Sequence, residues 1–187
     1  MERDVEAAFV TWQLHSGLSF HKAEDGNVAQ LEVSWQPQNH GDEFDFDGPG
    51  GVLGHAFFPS EGGAIHFDDS ESWTVNAETG ASHSFYTRHR AEKKTMHMHV
   101  LTGYNVFQVA VHEFGHALGL RHSKVQESLM APYYKGYTPV YEFQLHEDDI
   151  AGAFRGRDFS LFTYFWYSLD SPENNSRPYS SEMPCPN

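Results

Sequence analysis

The residues of this chain best suited to chemistry at a single point lie in the sequence HEFGHALGLRH, which runs from His112 to His122. If this segment is helical, His116 lies one turn after His112 on the same face, so two imidazoles can converge on one metal ion. Glu113 then points beside the metal ion. Gly119 can adopt a left-handed conformation that ends the helix and turns the chain back, which brings His122 to the same point.

These three histidines predict a catalytic zinc site. A structural zinc has four protein ligands, whereas three neutral imidazoles leave one coordination position open for water. The chain contains 13 histidines in all, and histidine is the commonest metal ligand in proteins. The histidine content therefore favours metal binding at this segment, and it raises the question of a second metal centre.

A second group of possible zinc ligands precedes the active-site segment. His40 and Asp42 lie in a long loop, residues 37–51, and His55 and His66 lie in two short strand candidates. Four nitrogen and oxygen ligands from a loop and two neighbouring strands could close a tetrahedral structural zinc site. The alternative is that His55 and His66 are half-buried and hydrogen-bonded without a metal ion. The residues alone leave both interpretations open.

A third group offers oxygen ligands. Asp47 opens the glycine-rich turn DGPGG, and Asp68 and Glu71 follow later in the chain. Carboxylates from two places, together with carbonyls exposed by such a turn, suit Ca²⁺. The alternative is an acidic turn in contact with water, and the residues alone favour that alternative.

Hydrophobic periodicity predicts the elements that position these groups. Apolar residues recur at helical spacing over residues 2–15, and they alternate with polar residues over residues 29–35, as in a half-buried strand. Residues 53–58 and 65–67 predict a hairpin, and an acidic first turn beginning at Glu147 predicts a final helix.

Two segments have no clear place in this scheme. Residues 81–102 hold four of the chain's basic residues and four of its histidines, and we expect an exposed polar loop there. Residues 158–169 are crowded with aromatic side chains and show neither a helical nor an alternating rhythm. No placement is predicted for this aromatic segment.

Composition limits the function classes. The 187 residues suit one domain with a tail, and a formal net charge of -14 argues against nucleic acid and anionic membranes as partners. The chain has no run near the roughly 18 apolar residues of a membrane span and no apolar stretch at its start, so we expect any secretion signal to lie outside it. Cys185 is the single cysteine, so no internal disulfide can form.

The motif HExxHxxGxxH, followed by a methionine at Met130, resembles that of the metzincins, and its details resemble the catalytic domain of a matrix metalloproteinase. The resemblance covers about residues 2–150, interrupted at about 81–102. It implies an α+β fold of the zincin type, with a twisted mixed sheet, an active-site helix and a Met-turn. It also implies a Met130 side chain that packs beneath the three imidazoles without binding the metal ion.

The resemblance implies three metal ions, two zinc and at least one calcium. The implied ligands of the catalytic zinc are His112, His116 and His122; those of the structural zinc are His40, Asp42, His55 and His66; those of calcium are Asp47, Gly48, Gly50, Val52, Asp68 and Glu71. A second calcium site of the family is not expected, because its aspartates are replaced by Gln30 and Ala64. The implied S1′ pocket is lined by Gln108, Pro132 and Tyr134.

The function implied by this resemblance is that of a secreted, extracellular zinc endopeptidase. A zinc-bound water would attack a peptide bond of an extracellular matrix protein, and Glu113 would act as general base and pass the proton to the leaving amine. Implied partners are matrix protein or peptide substrates and protein inhibitors of metalloproteinases, with the chain acting as a monomer. The alternative is a truncated or inactive metal-binding module without proteolytic activity.

That alternative rests on departures from the family pattern. The first edge strand, the propeptide and the hemopexin-like domain have no counterpart in the chain, and we expect a catalytic domain at 1–157, an aromatic segment at 158–169 and a Pro/Ser/Asn-rich, disordered linker at 170–187. One hypothesis is that the aromatic run 159–167 packs in the space of the missing strand.

Overall fold

The structure, a computed structural model, describes residues 1–24, 28–76, 82–84, 103–155 and 164–170. These residues form three α-helices, two β-sheets and a 3-10 turn at Pro59–Glu61. The fold is of the α+β class, as the sequence predicts. The predicted turn at residues 25–27 and the predicted linker after residue 170 lie outside the described residues.

The helices are α1 (Glu2–Ser16), α2 (Val106–Ala117) and α3 (Glu147–Arg155). All three were predicted, including the end of α1 at Gly17, where a φ of 70° is left-handed and stops the helix. α1 buries its apolar face against α2, and the indole nitrogen of Trp12 donates to the carbonyl of Val111 at 2.8 Å. The back of the helix that carries the histidines is therefore covered by α1.

The larger sheet contains β1 (Ser19–Lys22), β2 (Leu31–Gln36), β3 (Gly54–Ala56), β4 (Ile65–Asp68) and β8 (Tyr164–Asp170) in the order β1-β8-β2-β4-β3. Strand β2 confirms the predicted alternation, since Leu31, Val33 and Trp35 are buried and Glu32 is exposed. Strands β3 and β4 pair in antiparallel fashion and confirm the predicted hairpin, whereas the other neighbours are parallel. The sheet is mixed, as expected.

Strand β8 comes from the aromatic segment that had no predicted placement. It lies between β1 and β2 and is parallel to both, so residues 164–167 of the aromatic run are part of the larger sheet. Whether this is the space of the missing strand stays a prediction. The expectation of no alternating pattern in this segment is wrong for β8, since Phe165 and Tyr167 are buried and Trp166 is 42% exposed. Aromatic residues lie on both faces of the strand, so the sequence does not show the alternation of buried and exposed side chains.

A smaller sheet consists of β5 (Trp73–Asn76), β6 (Ser82–Ser84) and β7 (Tyr104–Asn105), with β5 in the middle. The expected polar loop at 81–102 is wrong for Ser82–Ser84, which pair with β5 as a strand, and the rest of that range lies outside the described residues. Backbone pairing with β5 overrode the polar character of these residues. None of the described helices is long and apolar enough to cross a membrane.

Candidate active site and metal centres

Both ends of α2 are fixed by hydrogen bonds that place its histidines. At the start, the side chain of Asn105 accepts from the backbone N–H of Gln108 at 3.1 Å, which caps the helix. At the end, Gly119 has a φ of 93°, and the backbone N–H groups of Gly119 and Leu120 donate to the carbonyls of His116 and Gly115 at 2.8 and 2.9 Å. This is a Schellman motif, and it confirms the turn predicted at Gly119.

The three predicted zinc ligands converge. The Nε2 atom of His122 lies 3.3 Å from Nε2 of His112 and 3.2 Å from Nε2 of His116. Two imidazoles are oriented from behind, because Nδ1 of His112 lies 2.8 Å from the carbonyl of Leu129 and Nδ1 of His116 lies 2.8 Å from the carbonyl of Leu120. Each Nδ1 therefore carries the proton, and each Nε2 presents a lone pair to the centre.

This arrangement fits a zinc ion. Lone pairs of neutral imidazoles that face one another repel unless a cation lies between them. Ligands about 2.0–2.1 Å from a tetrahedral zinc are separated by about 3.3–3.4 Å, which matches the two nitrogen separations. Burial lowers the pKa of His112 to about 4, with His116 and His122 acting in the same direction, and burial also lowers the pKa of His116. His112 and His116 are thus held in the neutral form that binds metal.

Glu113 lies beside the three imidazoles and is 6% exposed. Burial raises the pKa of its carboxyl to about 8, so this group can hold or release a proton near neutral pH. Strand β3 passes close to it, because a Cβ atom on Gly54 would lie 3.4 Å from Cγ of Glu113. The geometry combines a metal-binding group, a proton acceptor and an adjacent strand edge.

The turn around Met130 supports the metal-binding histidines through one residue that sequence reasoning missed. Asp149 on α3 accepts from the hydroxyl of Ser128 and from the backbone N–H groups of Leu129 and Met130, the last two at 2.7 and 3.0 Å. The carbonyl of Leu129 in turn accepts from His112. The sequence signal was the acidic start of α3, which we interpreted only as a helix-dipole effect.

The four residues of the second predicted zinc site also converge. One oxygen of Asp42, Oδ2, lies 2.9 Å from Nε2 of His40, Nε2 of His55 and Nδ1 of His66. Nδ1 of His40 lies 3.0 Å from the carbonyl of Pro37, so its Nε2 lone pair faces the carboxylate oxygen. A proton or a metal ion must separate two such atoms. Within each of the two groups, the possible ligand atoms all lie within 4.8 Å of one another.

Unlike the three-histidine site, this second centre contains a charged ligand, Asp42. Burial works against the charge of Asp42, but hydrogen bonds from the Phe44 backbone and His55, with the charges of His55 and His40, outweigh it and lower the pKa of Asp42 to about 2. Burial lowers the pKa of His55 and of His66, against the influence of Asp42. The centre therefore holds an ionised carboxylate among three imidazoles.

The predicted calcium ligands lie on the loop from Asp47 to Val52 and on the segment from Asp68 to Glu71 at the end of β4. The backbone N–H of Gly50 donates to Glu71 at 2.5 Å, and that of Val52 donates to Asp47 at 3.0 Å. Oδ2 of Asp68 is buried and has no hydrogen-bond partner among the described residues. Burial raises the pKa of Glu71, as do the charges of Asp68 and Asp47. An orphaned carboxylate oxygen among like charges fits a hard cation. Gly48, also on this loop, has a φ of 86°.

Comparison with known proteins agrees with this geometry. Residues 1–155 match the matrixin family of peptidases. The chain belongs to the matrixin family. The match confirms the resemblance identified from HExxHxxGxxH and Met130, and it makes this chain a metalloendopeptidase-type domain of α+β fold.

Curated relatives of this matrixin include the hatching enzyme of Paracentrotus lividus, 44% identical over 149 residues, which are 80% of this chain and 21% of that protein. Human matrix metalloproteinase-20 is 39% identical over 81% of the chain and 26% of its own length. Human matrix metalloproteinase-25 is 38% identical over 78% of the chain and 23% of its own length. The chain thus spans about a quarter or less of the length of these relatives.

Two of the three residues predicted to line the S1′ pocket of this matrixin, Gln108 and Tyr134, lie at the start of α2. The hydroxyl of Tyr134 accepts from the backbone N–H of Asn105 at 3.0 Å, next to the helix turn that carries Gln108. Gln108 is 8% exposed, and its Oε1 atom has no partner among the described residues. Pro132 is exposed in the turn after Ala131. Their role in substrate binding stays a prediction.

Proposed function

We propose that this matrixin domain is an active zinc-dependent endopeptidase. The observation that carries the proposal is the convergence of three Nε2 lone pairs, from His112, His116 and His122, beside the buried carboxyl of Glu113. A zinc ion bound there supplies a Lewis acid for a scissile carbonyl and lowers the pKa of a water molecule toward about 7. The protein supplies orientation, proton transfer and a water-poor surrounding.

Glu113 acts as the general base of this proposal. It accepts a proton from the attacking water at a carboxylate oxygen and donates that proton to the nitrogen of the leaving amine. Burial raises the pKa of Glu113 to about 8 in the metal-free protein, and the charge of a bound zinc ion would lower it, which favours the carboxylate form that accepts the proton. His112 and His116 stay in place because their Nδ1 atoms donate to the carbonyls of Leu129 and Leu120.

A peptide substrate has a strand edge to bind. In the larger sheet, β3 pairs with β4 on one side, and no described strand pairs with its other side. An extended peptide added along β3 would pass Gly54, where the strand lies so close to α2 that a Cβ atom would be 3.4 Å from Cγ of Glu113. We propose that the substrates are proteins of the extracellular matrix, with Gln108, Pro132 and Tyr134 lining the S1′ pocket.

The remaining parts of the proposal follow from the family and from the donor sets. We propose a structural zinc at His40, Asp42, His55 and His66, and a calcium ion at Asp47, Asp68 and Glu71, with carbonyls of Gly48, Gly50 and Val52. The domain divides as 1–157, 158–169 and 170–187. It acts as a secreted, extracellular monomer that protein inhibitors of metalloproteinases bind.

Cleavage of a quenched collagen-like peptide tests this function. The whole chain should cleave the peptide, a chelator should abolish cleavage, and added zinc should restore it. Glu113→Ala should lower kcat by about 10²- to 10⁴-fold with zinc still bound. Glu127→Ala, an exposed glutamate after the active-site segment, is the matched control and should leave kcat unchanged. A chain that binds two zinc ions per molecule and cleaves nothing would favour the inactive metal-binding module instead.

A further inference from the structure

We propose that β8 is a positioning strand for the active-site helix, and that Tyr167 acts on that helix through Phe9. Occupation of the slot between β1 and β2 by residues 164–170 would then determine whether α2 holds its catalytic geometry. Only the effect on cleavage rests on the proposed endopeptidase function. The effect on the rigidity of α2 can be measured without it.

The slot is formed by two strands that do not pair with each other. Strand β1 pairs only with β8 among the described strands, from Ser19 opposite Tyr164 to Lys22 opposite Tyr167. Strand β2 pairs with β8 on this side, from Leu31 opposite Tyr167 to Ser34 opposite Asp170. Without β8, β1 would lose its described strand partner and β2 would become an edge.

Hydrogen bonds beyond the ladder seat β8 in this slot. The backbone N–H groups of Ala23 and Gln30 donate to the carbonyls of Tyr167 and Trp166 at 2.7 and 2.8 Å. The side chain of Gln30 accepts from the backbone N–H of Trp166 at 2.6 Å. Residues from both sides of the slot therefore hold the middle of β8.

A stack of three aromatic rings connects β8 to the active-site helix. The ring of Tyr167 lies 4.3 Å from the ring of Phe9 on α1, and Phe9 lies 3.9 Å from Phe114 on α2. All three are buried, with exposures of 6%, 2% and 1% for Tyr167, Phe9 and Phe114. Phe114 directly follows Glu113 in the chain. The rear of the helix turn that carries the general base thus rests on Phe9, and Phe9 rests on Tyr167.

The pairing of β8 with β1 and β2 requires the largest loss of loop-closure entropy in the larger sheet. Residues of β8 pair with β1 and β2 across most of the chain length, so the pairing requires long-range loop closure that local elements do not require. Release of β8 would remove the support of Phe9 on Phe114, so the hydrogen bonds of α2 would open more often and the helix turn that carries Glu113 would be held less firmly.

Single substitutions on the two faces of β8 test the proposal. Tyr167→Leu should lower kcat by at least about tenfold with little change in KM, because misplacement of a catalytic group affects the transition state most. It should also speed amide hydrogen exchange of α2, Val106–Ala117, in zinc-loaded protein. Tyr167→Phe keeps the ring and should have the kcat and the α2 exchange rates of the unchanged protein. Trp166→Leu, on the exposed face of the same strand, is the matched control and should change neither.

A disulfide lock keeps the proposal testable if Tyr167→Leu fails to fold. Glu32 and Ser168 are direct partners on β2 and β8, and neighbouring strands are close enough for a disulfide. In the whole chain with Glu32→Cys, Ser168→Cys and Cys185→Ser, the oxidised form should keep α2 protection and cleavage in moderate urea. The reduced form should lose both together with the protection of β8.

Two results would overturn the proposal. One is a Tyr167→Leu protein that is less heat-stable but has the kcat and the α2 exchange of Trp166→Leu. The other is a reduced protein in urea whose β8 exchanges freely while α2 stays protected. Absence of cleavage by the intact chain would instead contradict the proposed function, and the exchange measurements would still decide the role of β8.

Discussion

The two metal-binding groups of this matrixin use similar side chains in different surroundings. The catalytic group has three imidazoles at the end of a helix, and one of them, His122, is exposed. The structural group has three imidazoles around a carboxylate, and the side chain of His40 is only 1% exposed. Three neutral ligands leave room for water, whereas a fourth, charged ligand closes the coordination sphere.

The groups also differ in what supports them. The catalytic imidazoles donate to carbonyls at the helix end and in the Met130 turn, so the helix itself carries their geometry. The group proposed as structural joins the loop that carries His40 and Asp42 to the β3–β4 hairpin that carries His55 and His66. Loss of a catalytic ligand should therefore abolish chemistry with little effect on folding, and loss of a structural ligand should do the reverse.

Matched alanine substitutions give the largest expected difference. His122→Ala should lower kcat/KM by about 10³-fold or more, since metal polarisation contributes several kcal/mol, while the thermal midpoint stays close to that of the unchanged protein. His40→Ala should leave kcat of the folded protein within about threefold but lower the free energy of unfolding by about 1–3 kcal/mol. Peptide cleavage measures the activity of the two variants, and thermal and urea unfolding measure their stability. Equal loss of activity in the two variants would refute the separation of roles.

Removal of Asp149 should affect only the catalytic group. Asp149→Ala would leave the Leu129 and Met130 N–H groups without their acceptor and loosen the carbonyl that orients His112, so zinc affinity there should fall about 10- to 100-fold. Chelator competition measures this affinity. Glu147→Ala is the control, because Glu147 is an exposed carboxylate in the same first turn of α3. A loss of zinc from the four-residue centre would contradict this assignment.

Acid should destabilise the metal-free protein in two separate pH ranges. The folded pKa of His112 is about 4, below its ordinary value, so the unfolded chain binds the extra proton and stability falls between about pH 6.5 and 4, by up to about 3 kcal/mol. The folded pKa of Asp42 is also lowered, to about 2. Its stabilisation is complete above about pH 4 and is lost as the pH falls toward 2.

Urea midpoints of chelator-treated protein, measured at each pH, test these two ranges. His112→Asn should reduce the slope in the upper range, to which His116, His55 and His66 also contribute, and should leave the lower range unchanged. Asp42→Asn should flatten the lower range. A single transition that both substitutions shift equally would show that the two groups titrate as one unit.

The sequence predicted the catalytic group because its geometry is local. Helical spacing and one glycine determine where His112, His116 and His122 lie, and no distant contact is needed. The four-residue group was only one of two interpretations until the family resemblance favoured it, because its ligands depend on how a loop packs against a hairpin. Residue types and spacing do not specify such packing.

Two long-range features could not be predicted in detail. Asp149 supports the Met130 turn through contacts between α3 and a distant turn, and its position in the acidic start of a helix gave no sign of this role. The placement of β8 depended on a gap in the sheet, and its alternation was concealed because Trp166 is exposed although it is aromatic. Tertiary contacts decided both features.

Gly54 lies between the two groups and should give the smallest effect. A Cβ atom there would lie 2.9 Å from the carbonyl of His66 and 3.4 Å from Cγ of Glu113, so one methyl group presses on both centres. Gly54→Ala should destabilise the protein by about 1–3 kcal/mol through overpacking. The contact with the carbonyl of His66 is shorter than the contact with Cγ of Glu113. The β3–β4 hairpin should therefore shift more than Glu113, and the substitution should lower stability more than kcat. Urea unfolding and peptide cleavage of this one variant decide the order, and a large loss of kcat at unchanged stability would show that Glu113 moves instead.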